Sequence, residues 1–265
     1  MLDNPKSDRV KGIARLQQKD ARSETGLFLL EGPQGLKELV RVPDLAQEIL
    51  VTEEAAEKFH AELLEFERYG TEVTLCSDRV MDKIAGTDQP QGVIAVVEQM
   101  DTTLAEAMTG SVKLIAVLDQ VRDPGNAGTI LRAADAAGAD LVVFLKDSVD
   151  LYNPKLVRAT AGSIFNVPVA QGVDKDEFQE LMAMQSIPIW ATSAAGESIA
   201  ELGAELGNPV AWVFGNEAHG VSPELIAMAD KVVSLPIFGK AESLNLATAA
   251  SVCLYASALE MHRKH

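Results

Sequence analysis

From Thr25 the chain reads GLFLLEG, PQGLKELVRV, QEILVTEEAAEKFHAELLEFERYG and TEVTLCS, so short apolar runs alternate with segments of helical periodicity. SDRVMDKIAG predicts a further helix, and GVIAVVEQM, after the turn TDQPQ, a further strand. MDTTLAEAMTGS is polar and rich in small residues, which predicts a linker over 101–111. Beyond it the alternation resumes with stronger strands. KLIAVLDQV is followed by a helix over 128–137, then DLVVFLK, then a helix around Pro154–Ala161 and the strand FNVPVAQ. A helix near 174–185 precedes IPIWATSA and PVAWVFG; a short helix around Pro223–Ala229 leads to KVVSLPI, and the last helix runs from about Asn245 to His262. Strands that are continuously apolar, not alternating, belong to a sheet buried on both faces. The pattern therefore predicts an α/β fold with parallel strands. It divides into an N-terminal domain over 1–100, the linker, and a larger domain over 112–265.

Composition adds a globular core and little else: 47% of the 265 residues are hydrophobic. Runs such as LIAVL and LVVFL are far short of the ~20 residues that span a bilayer. The start, MLDNPKSDRVKG, lacks the apolar stretch of a signal peptide. Cys76 and Cys253 stand in unrelated apolar contexts and read as buried thiols of a reducing compartment, so the expected location is cytoplasmic.

Charge complicates the picture. A net charge of −16 argues against nucleic acid, because phosphate contacts dominate such affinity. Residues 6–22, however, hold six basic residues against two acidic ones, a local charge of +4. Within them Lys11, Arg15, Lys19 and Arg22 are spaced to share one face if the segment is a single helix. Such a face binds RNA or is merely solvated; charge alone leaves both open.

Several common chemistries lack their residues. The turn GNAG is not G-x-G-x-x-G, and no acidic residue ends LVVFLK where NAD would need one. There is no G-x-x-x-x-G-K-[ST], no G-x-S-x-G and no H-E-x-x-H. His60, His219, His262 and His265 are scattered without metal-ligand spacing, so no metal is expected. Three unusual segments remain, each at the carboxyl end of an apolar strand, where open α/β sheets place their ligands. They are DPGNAGTILRAADAAG from Asp123, VFGNEAHGVSPEL over 213–225, and LPIFGKAESLNLATAASV over 235–252. Each alone could be a turn or a helix cap. Three together at strand ends point to a site.

In these segments Asn126-x-Gly128-x-x-x-Arg132-x-Ala134, Phe214-Gly215-Asn216-Glu217-x-x-Gly220, and Leu235-Pro236 followed by Ser243-Leu244-Asn245 carry a resemblance. The order and spacing resemble the three signature motifs of the SpoU/TrmH family of RNA ribose 2′-O-methyltransferases, of the SPOUT superfamily, over roughly 112–262. The N-terminal part, a basic helix and then GLFLLEG, is similar to the ribosomal-protein-like RNA-binding domain often fused to these enzymes.

The resemblance implies a deep trefoil knot, a homodimer, and S-adenosylmethionine as methyl donor. It implies methylation of a ribose 2′-hydroxyl in structured RNA, most simply ribosomal RNA. Alternatives are a tRNA ribose methyltransferase and a non-catalytic RNA-binding protein of the same fold. Carried over, Gly215, Leu235 and Leu244 line the donor pocket, with Thr192 nearby. Arg132 acts on the acceptor hydroxyl, Asn126 and Asn245 orient Arg132 and the ribose, Glu217 fixes the arginine side chain, and Ser243 positions the acceptor. Arginine keeps its charge far above neutral pH, so Arg132 is either strongly perturbed into a base or a stabiliser of developing alkoxide. His219 and Lys240 are departures: His219 reads as a solvent-facing loop residue, with contact to RNA as the alternative, and Lys240 is placed where it could meet phosphate. Lys11, Arg15, Lys19 and Arg22 form the expected RNA-binding face.

Overall fold

The computed structural model describes residues 1–263; Lys264 and His265, the latter counted among the histidines above, lie outside the described residues. The chain forms two compact units. Unit 1 comprises Met1–Met100 together with Tyr152–Phe165, and unit 2 comprises Asp101–Leu151 and the chain from Asn166 onward.

Unit 1 carries a four-stranded sheet of β1 (Leu27–Glu31), β2 (Ala46–Val51), β3 (Glu72–Leu75) and β4 (Val93–Glu98), in the order β1-β4-β2-β3. β4 runs antiparallel to both β1 and β2, while β2 and β3 are parallel. Phe28, Leu29, Leu30, Ile49, Leu50 and the run Val93–Val97 are buried, which accounts for the continuous apolar reading of these strands. The helix around Pro154, read from sequence with the C-terminal half, runs Pro154–Thr160 and belongs to unit 1. Tyr152, just before it, stacks on Phe28 with ring centroids 4.8 Å apart, and its hydroxyl accepts from the Met100 N–H at 2.7 Å.

The basic N-terminal segment departs from a single helix. It folds as Asp8–Arg15 and Lys19–Thr25, separated by an extended Gln18. Val10, Ile13, Leu16 and Ala21 face inward, and burying them turns Arg22 inward as well. Arg22 is 3% exposed and its Nη1 donates to the Leu16 carbonyl, so it is not part of an RNA-facing stripe. Lys11, Arg15 and Lys19 are exposed; Lys11 pairs with Asp8 and Arg15 with Glu24.

Unit 2 holds a six-stranded, all-parallel sheet in the order β10-β8-β9-β5-β6-β7. The strands are β5 (Leu114–Leu118), β6 (Leu141–Leu145), β7 (Val169–Val173), β8 (Ile189–Ser198), β9 (Val210–Phe214) and β10 (Lys231–Ser234). Every residue of β5, β6 and β9 is buried, as a sheet covered on both faces requires. Residues 101–111, expected as a linker, are built into this unit. Thr103 and Glu106 form a capping box on the helix Leu104–Ala107, and Leu104 and Met108 pack into the core. The polar composition that suggested a linker belongs to the exposed side of that short helix. The last helix, Leu246–Met261, lies on the sheet, where Ser257 Oγ accepts from the buried Trp212 indole at 3.0 Å. No helix of the described residues is long and apolar enough to cross a membrane.

Candidate active site at the carboxyl ends of the central strands

Register places the unusual segments together. Leu118 pairs with Phe214 and Val213 with Ala191, so Asp119 and Gly215, just beyond β5 and β9, lie beside Thr192, the first residue of β8 past its pairing with β9. Thr192 Oγ1 donates to the Val213 carbonyl at 2.9 Å, tying two of these ends. Leu235 follows β10, which flanks β8.

The first motif opens the helix Pro124–Ala136. Asp123 caps it by accepting from the Asn126 N–H at 2.8 Å, and Pro124 takes the first turn, where no N–H is needed. Glycine is required in the second motif. A Cβ on Gly215 would sit 2.0 Å from the backbone of Gly220 and Val221, so only hydrogen lets the loop fold back on itself. That hairpin closes through reciprocal bonds between Asn216 and Gly220 at 2.8 and 2.9 Å. In the third motif Asn245 caps the final helix, its Oδ1 accepting from the Ala247 and Thr248 N–H groups.

These three loops meet in one chain of hydrogen bonds. Asn245 Nδ2 donates to Asn126 Oδ1 at 3.0 Å, and Asn126 Nδ2 donates to Glu217 Oε1 at 3.2 Å. Glu217 also accepts from the backbone N–H groups of Asp123 and Arg122 at 3.1 and 3.4 Å. Partial burial works to raise the pKa of Glu217. Bonds from its own N–H, the Asn126 amide and the N–H groups of Asp123 and Arg122 prevail, leaving the carboxyl below its ordinary value. Glu217 is thus a fixed anion that orients Asn126.

Arg132 is outside this chain. It lies six residues beyond Asn126 on the same helix, about 120° around the axis, and is exposed. Among the described residues it has neither a hydrogen-bond nor an ion-pair partner. The expectation that Glu217 holds the arginine is therefore not met in this structure: the helical turn points Arg132 away from Asn126, the side chain that Glu217 holds. Ser243 is exposed, as are His219 and Lys240. Leu235 is partly exposed, and Leu244 and Ile237 are 40% and 38% exposed, leaving apolar surface open beside the strand ends.

Sequence reasoning missed a second lock behind the second motif. Asp119, 1% exposed, accepts from the Ser222 N–H at 2.7 Å and faces Lys175 Nζ at 3.7 Å. Lys175 in turn donates to Ser222 Oγ at 2.8 Å and to Glu224 at 3.3 Å. Next to Asp119, Gln120 adopts φ +54°, a left-handed conformation unusual for a side chain of this kind, and offers its carbonyl to Asn216 Nδ2 at 2.9 Å. A carboxylate ending the wholly apolar run LIAVL was the signal available in the sequence.

Comparison with known proteins agrees with this architecture. A model of the SpoU rRNA methylase family matches residues 113–255, and one described as an MRM3-like substrate binding domain matches residues 7–95. The chain is 31% identical over 255 residues to the 23S rRNA (guanosine(2553)-2′-O)-methyltransferase RlmP of Bacillus subtilis, covering 96% of this chain and 97% of that protein. It is 29% identical over 254 residues to the 23S rRNA (uridine(2479)-2′-O)-methyltransferase of Streptomyces viridochromogenes, covering 91% and 86%. A crystal structure of an AdoMet-bound rRNA methyltransferase from Sinorhizobium meliloti superposes with a TM-score of 0.84 at 29% identity, covering 97% of this chain and 96% of that one.

Proposed function

The chain belongs to the SpoU rRNA methylase family, and on that premise we propose how its residues carry out S-adenosylmethionine-dependent methylation of a ribose 2′-hydroxyl in ribosomal RNA. The observation that carries the reading is the hydrogen-bonded chain Asn245–Asn126–Glu217, which draws one residue from each motif to one point at the strand ends.

The donor side fits its ligand. Apolar surface on Leu235 and Leu244, the backbone at Gly215 and the hydroxyl of Thr192 suit an adenine ring and a sulfonium, and would hold them. When bound, the donor supplies a methyl group on a sulfonium, so its leaving group is a neutral thioether. On the acceptor side, a ribose hydroxyl is a poor nucleophile until its proton departs, and in this reading a water molecule at the open strand ends takes that proton as the methyl group is transferred. The guanidinium of Arg132 donates to the ribose oxygen and stabilises the developing alkoxide. Asn126, held from both sides, and Ser243 orient the ribose, and much of the rate comes from that placement.

The enzyme works as a homodimer in this reading. Val252, Tyr255 and Leu259, spaced three and four apart on the last helix, leave an exposed apolar stripe suited to a second copy. The free guanidinium of Arg132 then completes the site of the partner subunit. Threading of the C-terminal segment into a knot is part of this reading, as the family resemblance implies. Lys11, Arg15 and Lys19 supply the basic RNA contacts of unit 1, and the cytoplasm is where the substrate is met.

Incubation with S-adenosylmethionine labelled in its methyl group and unmodified ribosomal RNA tests the reading. Label in an alkali-resistant 2′-O-methyl dinucleotide is expected. Label on a base, or transfer to tRNA alone, would overturn it.

A further inference from the structure

Unit 1 contains a cavity of about 320 Å³ where β1 gives way to the helix Pro33–Leu39. Its other walls come from the segment 87–91 and the helix Pro154–Thr160, so every residue lining it belongs to unit 1. We propose that this cavity takes an unpaired nucleobase of the RNA substrate, an inference that rests on the reading of the chain as an rRNA methyltransferase.

Charge within the cavity is already balanced. Glu31, at its edge, accepts from Arg158 Nη1 and the Gly86 N–H, both at 3.1 Å, and from the Thr87 hydroxyl. Its side chain is 7% exposed, which places the pair among the better-shielded ion pairs of the molecule. Neither a free anion nor a free cation remains to attract an oppositely charged ligand. Arg158 nonetheless keeps donors to spare. A guanidinium carries five N–H groups, and only Nη1 is engaged within the described residues. The bond to Glu31 holds one nitrogen of that guanidinium and leaves its other donors unengaged.

The remaining polar lining is amide. Gln34, Gln89 and Gln91 are exposed at the rim, each able to donate and accept in one plane. That is the pattern of a base edge, and glutamine and arginine are side chains that read such edges bidentately. Pro33 and Val157 supply apolar wall for the faces of a ring. Unstacked bases of single-stranded RNA are recognised in this way, by amides on their edges and guanidinium planes on their faces. The volume is at the small end of ligand sites, roughly 300–1,000 Å³; it admits one base and excludes a duplex.

The test uses the full-length protein and in vitro transcribed large-subunit ribosomal RNA. Q89A/Q91A alters two exposed side chains and leaves the Glu31–Arg158 pair intact. RNA affinity by filter binding is expected to fall about tenfold, with KM for RNA rising and kcat at saturating RNA unchanged. Affinity for S-adenosylmethionine by calorimetry and the melting temperature are expected to stay as in the unsubstituted protein. Transcripts containing 4-thiouridine, irradiated on the protein, are expected to crosslink to peptides spanning 31–35 or 86–92. Unchanged RNA affinity, or crosslinks only elsewhere, would overturn the pocket while leaving the methyltransferase reading intact. A protein that neither binds nor methylates ribosomal RNA would overturn both.

Discussion

The side-chain amide of Asn245 donates to the side-chain oxygen of Asn126 at 3.0 Å, across 119 positions of the chain. Because Asn126 passes its own amide to Glu217, its orientation is fixed at both ends. Asn126→Ala removes both bonds and is expected to lower kcat about a hundredfold, the scale of losing one oriented polar group in a reacting site. Donor affinity should be nearly unchanged. Steady-state methyl transfer and calorimetry separate the two quantities; loss of donor affinity alone would place Asn126 on the wrong side of the site.

Glu217 is expected to set an acid limit on the reaction. Its folded-state pKa is lowered, so its contribution is complete above the ordinary glutamate value and is lost as pH falls through the lowered one. Activity and local order of the 215–222 loop are expected to decline on acidification, and Glu217→Gln to flatten the acid limb. Rates across the acidic range for both proteins check this.

Arg132 and Asn126 are expected to work from different subunits. Arg132→Ala and Asn126→Ala homodimers should each be nearly inactive. Mixed after denaturation and refolding, they should regain about a quarter of normal activity, because random pairing yields one intact site in half of the dimers. A mixture as inactive as its components would return Arg132 to its own subunit's site.

Asp119 holds the second motif from behind. Asp119→Ala leaves the part-buried Ser222 N–H without its partner, costing about 1 kcal/mol. Asp119→Asn, which keeps an oxygen acceptor, should cost less and recover most of kcat. Thermal melts and kcat measured together check this; equal losses for both variants would show that the charge facing Lys175 matters more than the hydrogen bond.

The two thiols should be inert in the folded protein. Burial raises Cys76 to about 11, with Asp78 and Glu48 adding to the effect, and raises Cys253 to about 12. Neither should react with a thiol reagent near pH 8 until denaturant is added, as absorbance of the released chromophore will show.

Much of this was legible in the chain as written. LIAVL, LVVFL and VAWVF announce strands buried on both faces, and the parallel sheet follows because only helices on both sides can bury them. Asp123-Pro124 and Asn245 announce helix starts through cap chemistry that acts over three residues. The three motifs were visible for the same reason: their spacing is local. Tertiary structure alone decided which side chains meet. Strand order β8-β9-β5 brings Thr192, Gly215 and Asp119 together, and no local periodicity encodes that order. It likewise decided that Arg22 is buried, that Asn126 faces Glu217 while Arg132 does not, and that Tyr152–Phe165 completes unit 1. Sequence periodicity fixes which face of an element avoids water; the identity of the neighbour that covers it is settled only when distant elements pack.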